Sequence, residues 1–294
     1  MTTFTNNSNL PQSVFNLLAK NRYSGTDVDH DYSATTLLKP PRMVMLERRH
    51  ADDLEEDVLD RLWSMFGSVA HHLLEEQSPE NEMSETRLFA EVGGRKISGQ
   101  FDGYHPAEER LDDYKVTSVW TIVYDSRSEE WAQQLNILAY LLRTNGYGIK
   151  NLRIVVILRN WSKSKSLQGG DYPNAPIKII DVPLWDHADA AFFILQRVGA
   201  MGFNAGLADD DLAPCTPEEM WEKPTVFAVM KDGRKSAVKL FDDYGAAGDF
   251  CAASGKGHSV VTRPGKRTRC EEYCAVNKFC NIFKEYSKTI APEE

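Results

Sequence analysis

The chain has 294 residues, of which 42% are hydrophobic and 26% charged, an ordinary balance for a globular protein. No apolar run approaches the ~20 residues of a membrane-spanning helix, so no such helix is expected. The net charge of −9 does not advertise nucleic-acid binding, but a local basic groove would suffice for it, and metal carboxylates lower the sum. The N-terminal MTTFTNNSNLPQSVF has no basic or apolar leader segment, and the expected compartment is the cytoplasm.

In chain order, 13–20 suits a short helix and residues 21–42 a loop broken by Pro40 and Pro41, with Ser33 placed to cap a short helix. From Asp52 to Gln77 the spacing of Leu54, Val58, Leu62, Met65, Phe66, Val69 and Leu73 predicts one long amphipathic helix. Gly67 and His71 lie four residues apart inside it, and Glu75 follows one turn later. A histidine in such a place is ordinarily half-buried and bonded to a neighbour.

Residues 84–93, 95–103 and 110–118 predict a strand meander, with Gly93-Gly94 as the first turn. Alternation puts Arg87, Phe89 and Glu91 on one face, and Ser98, Gln100 and Asp102 on another. Glu91 reads as a plain strand-edge charge, with approach to the Asp102 side of the hairpin as the alternative. The stretch Ile97–Ser118, ISGQFDGYHPAEERLDDYKVTS, forms a hairpin whose second arm carries Asp113 and Lys115 on one face. Two carboxylates, Asp102 and Asp113, suit a hard cation. A neighbouring ammonium suits charge developing on phosphate.

Ser128–Asn145 predicts a second helix, opened by Glu129 and Glu130 and with Trp131, Leu135, Leu138 and Leu142 on its apolar face; Gln134 lies beside that face. Residues 150–158 are a buried strand, followed by a loop bearing Arg159, Trp161, Lys163 and Lys165. These four are candidate nucleic-acid contacts by charge and stacking. A strand at 177–182 and a helix at 184–199 complete an α/β arrangement, a mixed central sheet flanked by helices. The acidic, Pro-flanked residues 203–217 suggest a linker, dividing a core at 1–203 from a C-terminal extension at 204–294. The extension holds a hairpin around Asp232-Gly233, a helix at 243–253, and a small cysteine-bearing segment.

All five cysteines, Cys215, Cys251, Cys270, Cys274 and Cys280, fall after residue 214. Late clustering in a reducing compartment argues for metal or cluster binding over disulfides.

Taken together, Gly67-x-x-x-His71, Gly99-Gln-Phe-Asp102, Asp113-Tyr-Lys115 and Gln134-Leu-Asn-Ile-Leu-Ala-Tyr140 resemble the PD-(D/E)XK nucleases, and among them the RecB-like exonucleases. The resemblance spans roughly Gly67 to Tyr140 and implies a restriction-endonuclease-like core. It implies that His71, Asp102, Asp113 and the backbone carbonyl of Val116 hold Mg²⁺ or Mn²⁺. Lys115 would assist catalysis and Gln134 would orient the site. His72 competes with His71 for the ligand role. The family's tyrosine position is occupied here by Leu138, and Tyr140 stands two residues later. The cysteines are similar to the iron–sulfur staple of CRISPR-associated and AddB-type relatives. Cys270, Cys274 and Cys280 would supply three ligands to a [4Fe–4S] group, or less favourably to zinc. Cys215 is preferred to Cys251 as the fourth.

The implied function is a metal-dependent deoxyribonuclease, an exonuclease on single strands or duplex ends in bacterial or phage recombination and repair. DNA is the implied partner, with a recombination protein or further copies of the chain as possible associates and no membrane. The rivals are a non-catalytic DNA-binding or assembly factor on the same fold, and an endonuclease.

Overall fold

A computed structural model describes residues 2–20 and 29–290. The chain divides into two compact units, Met1–Leu207 and Ala208–Glu294. No helix among the described residues is long and apolar enough to cross a membrane. Part of the loop expected at 21–42, residues 21–28, lies outside the described residues.

The first unit opens with β1 (Thr3–Thr5), α1 (Gln12–Ala19), β2 (Tyr32–Ser33), α2 (Ala34–Leu37), α3 (Pro41–Arg49), β3 (Glu55–Asp57) and α4 (Leu62–Glu76). Ser33 Oγ accepts from the Thr36 amide at 3.0 Å and caps α2. The Pro40-Pro41 pair does not break structure here. Pro41 begins α3, where its missing N–H costs nothing, and α3 buries Val44, Met45 and Leu46.

The single helix expected over 52–77 is broken into a 3-10 turn at Ala51–Asp53, the strand β3, a second 3-10 turn at Val58–Arg61, and α4. Glu55–Asp57 pairs parallel with Thr3–Thr5. Asp57 takes the Asn7 amide at 2.8 Å and the Leu59 amide at 3.0 Å. Asp57 thereby caps the 3-10 turn Val58–Arg61, which leads into α4 at Leu62. None of its residues is buried, although its sequence carries an apolar stripe.

The sheet of this unit contains β2, β4 (Met83–Val92), β5 (Arg95–His105), β6 (Arg110–Thr117), β7 (Asn151–Leu158) and β8 (Ile177–Val182). Between β6 and β7 run α5 (Val119–Val123) and α6 (Ser128–Thr144); α7 (Lys163–Ser166) precedes β8, and α8 (His187–Ala205) follows it. Pairing is mixed. β5 is antiparallel to β4 and β6, β6 is parallel to β7, and β7 is antiparallel to β8.

One edge of β5 is covered along its length by β4. The other is shared between β2, at Ile97 and Ser98, and β6, at Gly103 to His105. Between those contacts β5 and β6 part, and the sheet forks. Gly99 lies mid-strand beside the fork rather than in a turn. A Cβ there would meet Leu138 Cδ2 at 2.5 Å and Leu141 Cδ1 at 2.6 Å, so glycine is what lets α6 lie against the sheet. Leu135, Ile137, Leu138, Leu141 and Leu142 of α6 are all buried, and with Ile97, Phe101, Leu111, Ile154 and Val156 of the sheet they make the core.

The second unit contains β9 (Glu222–Lys223), β10 (Val226–Lys231), β11 (Lys239–Phe241), α9 (Tyr244–Ala253), β12 (His258–Arg263), β13 (Lys266–Arg267) and α10 (Asn281–Ile290). The expected hairpin is present as β10–β11, with Phe227 opposite Phe241. The order β11-β10-β12 adds a strand that the short polar stretch His258–Arg263 did not signal. The linker expected from residue 203 begins later, because α8 continues to Ala205.

Candidate metal and nuclease site

The fork between β5 and β6 collects the chemistry. Where β6 leaves β5, its amides need other acceptors. Asp102 Oδ2 takes the Tyr114 N–H at 2.7 Å, so a side chain replaces the missing strand. Asp102 Oδ1 lies 3.2 Å from His71 Nδ1 on α4, and the opposite ring nitrogen stands 3.0 Å from the Tyr114 carbonyl. The carbonyl bonded to His71 is that of Tyr114, two residues before Val116 on the same strand. Of the two adjacent histidines, His71 enters this cluster, whereas His72 is exposed beside Glu75 and Glu76.

The third member was not anticipated. Glu85 Oε1 lies 3.5 Å from His71 Nδ1. Ligand atoms of His71, Glu85 and Asp102 fall within 4.8 Å of one another. Glu85 stands opposite Asp102, between the paired positions Ser84–Gly103 and Thr86–Phe101. Its φ of +44° is in the left-handed region, which costs a non-glycine residue about 1–3 kcal/mol and persists where surroundings impose it. Gln100 Nε2 donates to Glu85 Oε2 at 2.6 Å, and Arg87 in turn donates to Gln100 Oε1 at 2.7 Å. Glu91 is an exposed strand charge across from Lys96, at the far end of the β4–β5 ladder from Asp102.

Asp113 and Lys115 follow on β6. Asp113 is 2% exposed. Lys115 Nζ donates to its Oδ1 at 3.0 Å and stands 2.7 Å from Oδ2, but Oδ2 itself accepts no hydrogen bond of good geometry. Burial pushes the Asp113 carboxyl up to about 6 against the pull of Lys115, with the nearby Asp102 charge adding to the rise. Burial works against a charged His71, yet Asp102 and Glu85 outweigh it and hold the imidazole up, to about 10. Three carboxylates thus crowd one histidine and one lysine.

The neighbouring Asp112 faces the other way. Arg153 grips it with two bonds of 2.9 and 2.7 Å, Arg110 Nε adds one at 3.0 Å, and His105 Nε2 stands 3.0 Å away. Desolvation opposes its charge, but the two guanidiniums hold its carboxyl below the usual range. Strand alternation thus separates the Asp-Asp pair into one structural and one site carboxylate.

Gln134 is half-buried on α6, and no hydrogen bond joins it to the cluster. Tyr140 stacks on His187 at 4.7 Å, away from the site chemistry. Of the basic loop residues, Arg159 lies over the Trp63 ring at 3.8 Å and Lys165 over Trp120 at 5.0 Å. Trp161 turns inward, its Nε1 donating to the Pro173 carbonyl at 2.7 Å. Lys163 is exposed at the start of α7.

In the second unit, the described cysteines are all free thiols. Burial pushes the Cys215 thiol up to about 12, with Glu219, Cys270, Cys280 and Cys274 adding to the rise. Cys270 is pushed to about 11, again by burial first and then by Cys274 and Cys280. Cys270, Cys274 and Cys280 thus act on Cys215, and Cys274 and Cys280 on Cys270, whereas Cys251 is on α9.

No protein-family model matches the chain, and no curated protein does. Two solved structures are similar to parts of it. The crystal structure of SSO0001 covers 64% of this chain and 84% of its own, with a TM-score of 0.44 and 15% identity. A protein of Eubacterium rectale named "Putative exonuclease" covers 53% of this chain, with a TM-score of 0.31 and 14% identity. The aligned part spans 58% of that protein's own length.

Proposed function

We propose that the chain is a divalent-metal-dependent nuclease of the PD-(D/E)XK type, RecB-like, that hydrolyses DNA phosphodiester bonds. The observation that carries this is the convergence of His71, Glu85 and Asp102 at a sheet fork, with buried Asp113 and its Lys115 on the adjoining strand. The donor set fits the group. Carboxylate oxygens with one imidazole suit Mg²⁺ or Mn²⁺. The crowded carboxylates, and an Asp113 oxygen lacking a hydrogen bond, are what a cation would relieve. His71, Glu85, Asp102 and Asp113 would hold it, with the Tyr114 carbonyl close by.

When bound, such an ion polarises a phosphate and lowers the pKa of water. The chain's own groups do the remainder. Lys115 stabilises charge growing on the phosphate oxygens as water attacks phosphorus and the bond to the 3′ oxygen breaks. Asp113 fixes the ammonium in place. Gln100 and Arg87 orient Glu85, and the Tyr114 amide orients Asp102. Exonuclease action on single strands or duplex ends is the finer part of this reading.

The test is release of nucleotides from end-labelled DNA with Mg²⁺ or Mn²⁺. Asp113→Ala and Lys115→Ala should each abolish it, as should EDTA. Full activity in both variants overturns the assignment, and cleavage of a closed circle favours an endonuclease. Binding that survives EDTA with no hydrolysis at all favours the non-catalytic binding factor.

A second group is supported by the influence of Cys270, Cys274 and Cys280 on the Cys215 thiol, and of Cys274 and Cys280 on Cys270. Cys215, Cys270, Cys274 and Cys280 supply the thiolate set of a [4Fe–4S] or zinc site, which would stabilise the second unit by tying distant segments together.

A further inference from the structure

The apolar stripe of α4 does not enter the core. Trp63 is 53% exposed and Phe66 48%. Their rings lie 5.9 Å apart, and Arg159 covers one face of Trp63. Trp63, Gly67 and His71 recur every four residues, so they share one helix face at steps of about 6 Å. Nothing lies within 4 Å of a Cβ built on Gly67. The glycine therefore admits no other described part of the chain. It leaves an open saddle between an exposed tryptophan and the site histidine.

A second aromatic pair borders the same strand end. Trp120 and Tyr124 of α5 stack at 5.7 Å with planes 19° apart, and Tyr124 is 73% exposed. Lys165 stands over Trp120. Arg159 continues the β6–β7 ladder, its amide donating to the Thr117 carbonyl at 3.0 Å. Thr117 is two residues beyond Lys115, and Trp120 three beyond Thr117. Both cation-capped tryptophans therefore flank the end of the strand that carries Asp113 and Lys115.

We infer that Trp63 with Arg159, and Trp120 with Tyr124 and Lys165, form a stacking platform for single-stranded nucleic acid, whose backbone crosses α4 at Gly67 on its way to the site. Exposed aromatic faces take unpaired bases of any sequence, and the paired cations follow the phosphates. Bases stacked in a duplex offer no free face, which is why the platform commits to a single strand. The inference rests on the nuclease reading only for the direction in which the strand runs.

The test separates binding from chemistry. In EDTA, the full chain is titrated into a fluorescein-labelled oligothymidylate and, separately, into a duplex of the same length. Trp63→Ala and Trp120→Ala should each weaken single-strand binding roughly 5- to 150-fold while leaving the duplex titration unchanged. Unchanged single-strand binding in both variants overturns the platform, and an equal loss on duplex overturns the commitment to single strands. Gly67→Ala is the second arm. It should fold at least as stably as the parent, yet release nucleotides from the single strand at least several-fold more slowly. Parent-like release from this variant overturns the path across α4. A chain that binds through these tryptophans but never hydrolyses leaves the platform standing and removes only the nuclease reading.

Discussion

Asp102 accepts the Tyr114 amide at 2.7 Å at the point where β5 and β6 separate. One carboxylate therefore completes the fork's hydrogen bonding and faces the site histidine with its other oxygen. Asp102→Asn keeps an oxygen for the amide and removes the charge. It should melt close to the parent while metal-dependent hydrolysis falls on the order of 100-fold or more. Asp102→Ala leaves the Tyr114 N–H without its partner, and should also lose about 1–3 kcal/mol of stability. Melting curves beside nucleotide-release assays make the comparison; an Asn variant as unstable as the Ala variant would show that the charge, not the bond, holds the fork.

The buried Asp113–Lys115 pair gives a second separation of stability from activity. Lys115→Ala strands a carboxylate that is 2% exposed, a change that costs about 3–5 kcal/mol when no other cation intervenes. Asp113→Asn combined with Lys115→Met removes both charges. That double variant should regain much of the lost stability and none of the activity. Denaturant titration of the two single variants and the double variant closes the cycle; a double variant no more stable than Lys115→Ala would mean that packing dominates.

Gly99→Ala tests the close approach of α6 to the sheet. The new methyl would meet Leu138 and Leu141, which are both buried and have little room to yield. A loss of about 1–3 kcal/mol is expected from overpacking. Leu138→Ala in the same chain should recover part of it, and thermal melts of the three proteins decide.

The hairpin was legible because its turn residues and period-two alternation agree. Glu85 was within reach of the same logic. Gly93-Gly94 pairs Val92 with Arg95, and counting outward sets residue 85 opposite residue 102. The face of Arg87, Phe89 and Glu91, continued one step back along the strand, takes in Glu85. The burial of α4 was not legible. Periodicity reports an apolar stripe but not what covers it, and Trp63 and Phe66 turn out to face outward. Pro40-Pro41 marked a helix start as readily as a break, and only tertiary packing of Val44 to Leu46 decides between them. The Arg153 grip on Asp112 joins residues far apart in sequence, so nothing local distinguished Asp112 from Asp113.

Acid should loosen the junction between the N-terminal strand and the start of α4. Bonds from the Asn7 and Leu59 amides, helped by Thr5, hold the Asp57 carboxyl below its ordinary value of 3.8. A group depressed in the folded state contributes stability above its unfolded pKa and loses it as pH falls through the folded one. The contribution should therefore be complete at neutral pH and fade below about pH 4. Asp57→Asn should melt below the parent at neutral pH, and the two curves should converge in acid. A constant gap down to low pH would assign the effect to hydrogen bonding alone.

The last prediction separates the cysteines. Burial first, and then neighbouring cysteines, push up the Cys215 and Cys270 thiols, and a metal would take the thiols as thiolates and offset that cost. Cys251 sits on α9 outside that group. Protein purified without oxygen should carry iron or zinc, with a brown colour if iron. Cys215→Ser and Cys274→Ser should each lose most of that metal and lower the melting temperature of the second unit. Cys251→Ser should retain both metal and stability. Metal analysis of the parent and the three variants gives the answer. A colourless, metal-free parent of unchanged stability would leave the four thiols as reduced packing residues, and equal metal loss in Cys251→Ser would redraw the ligand set.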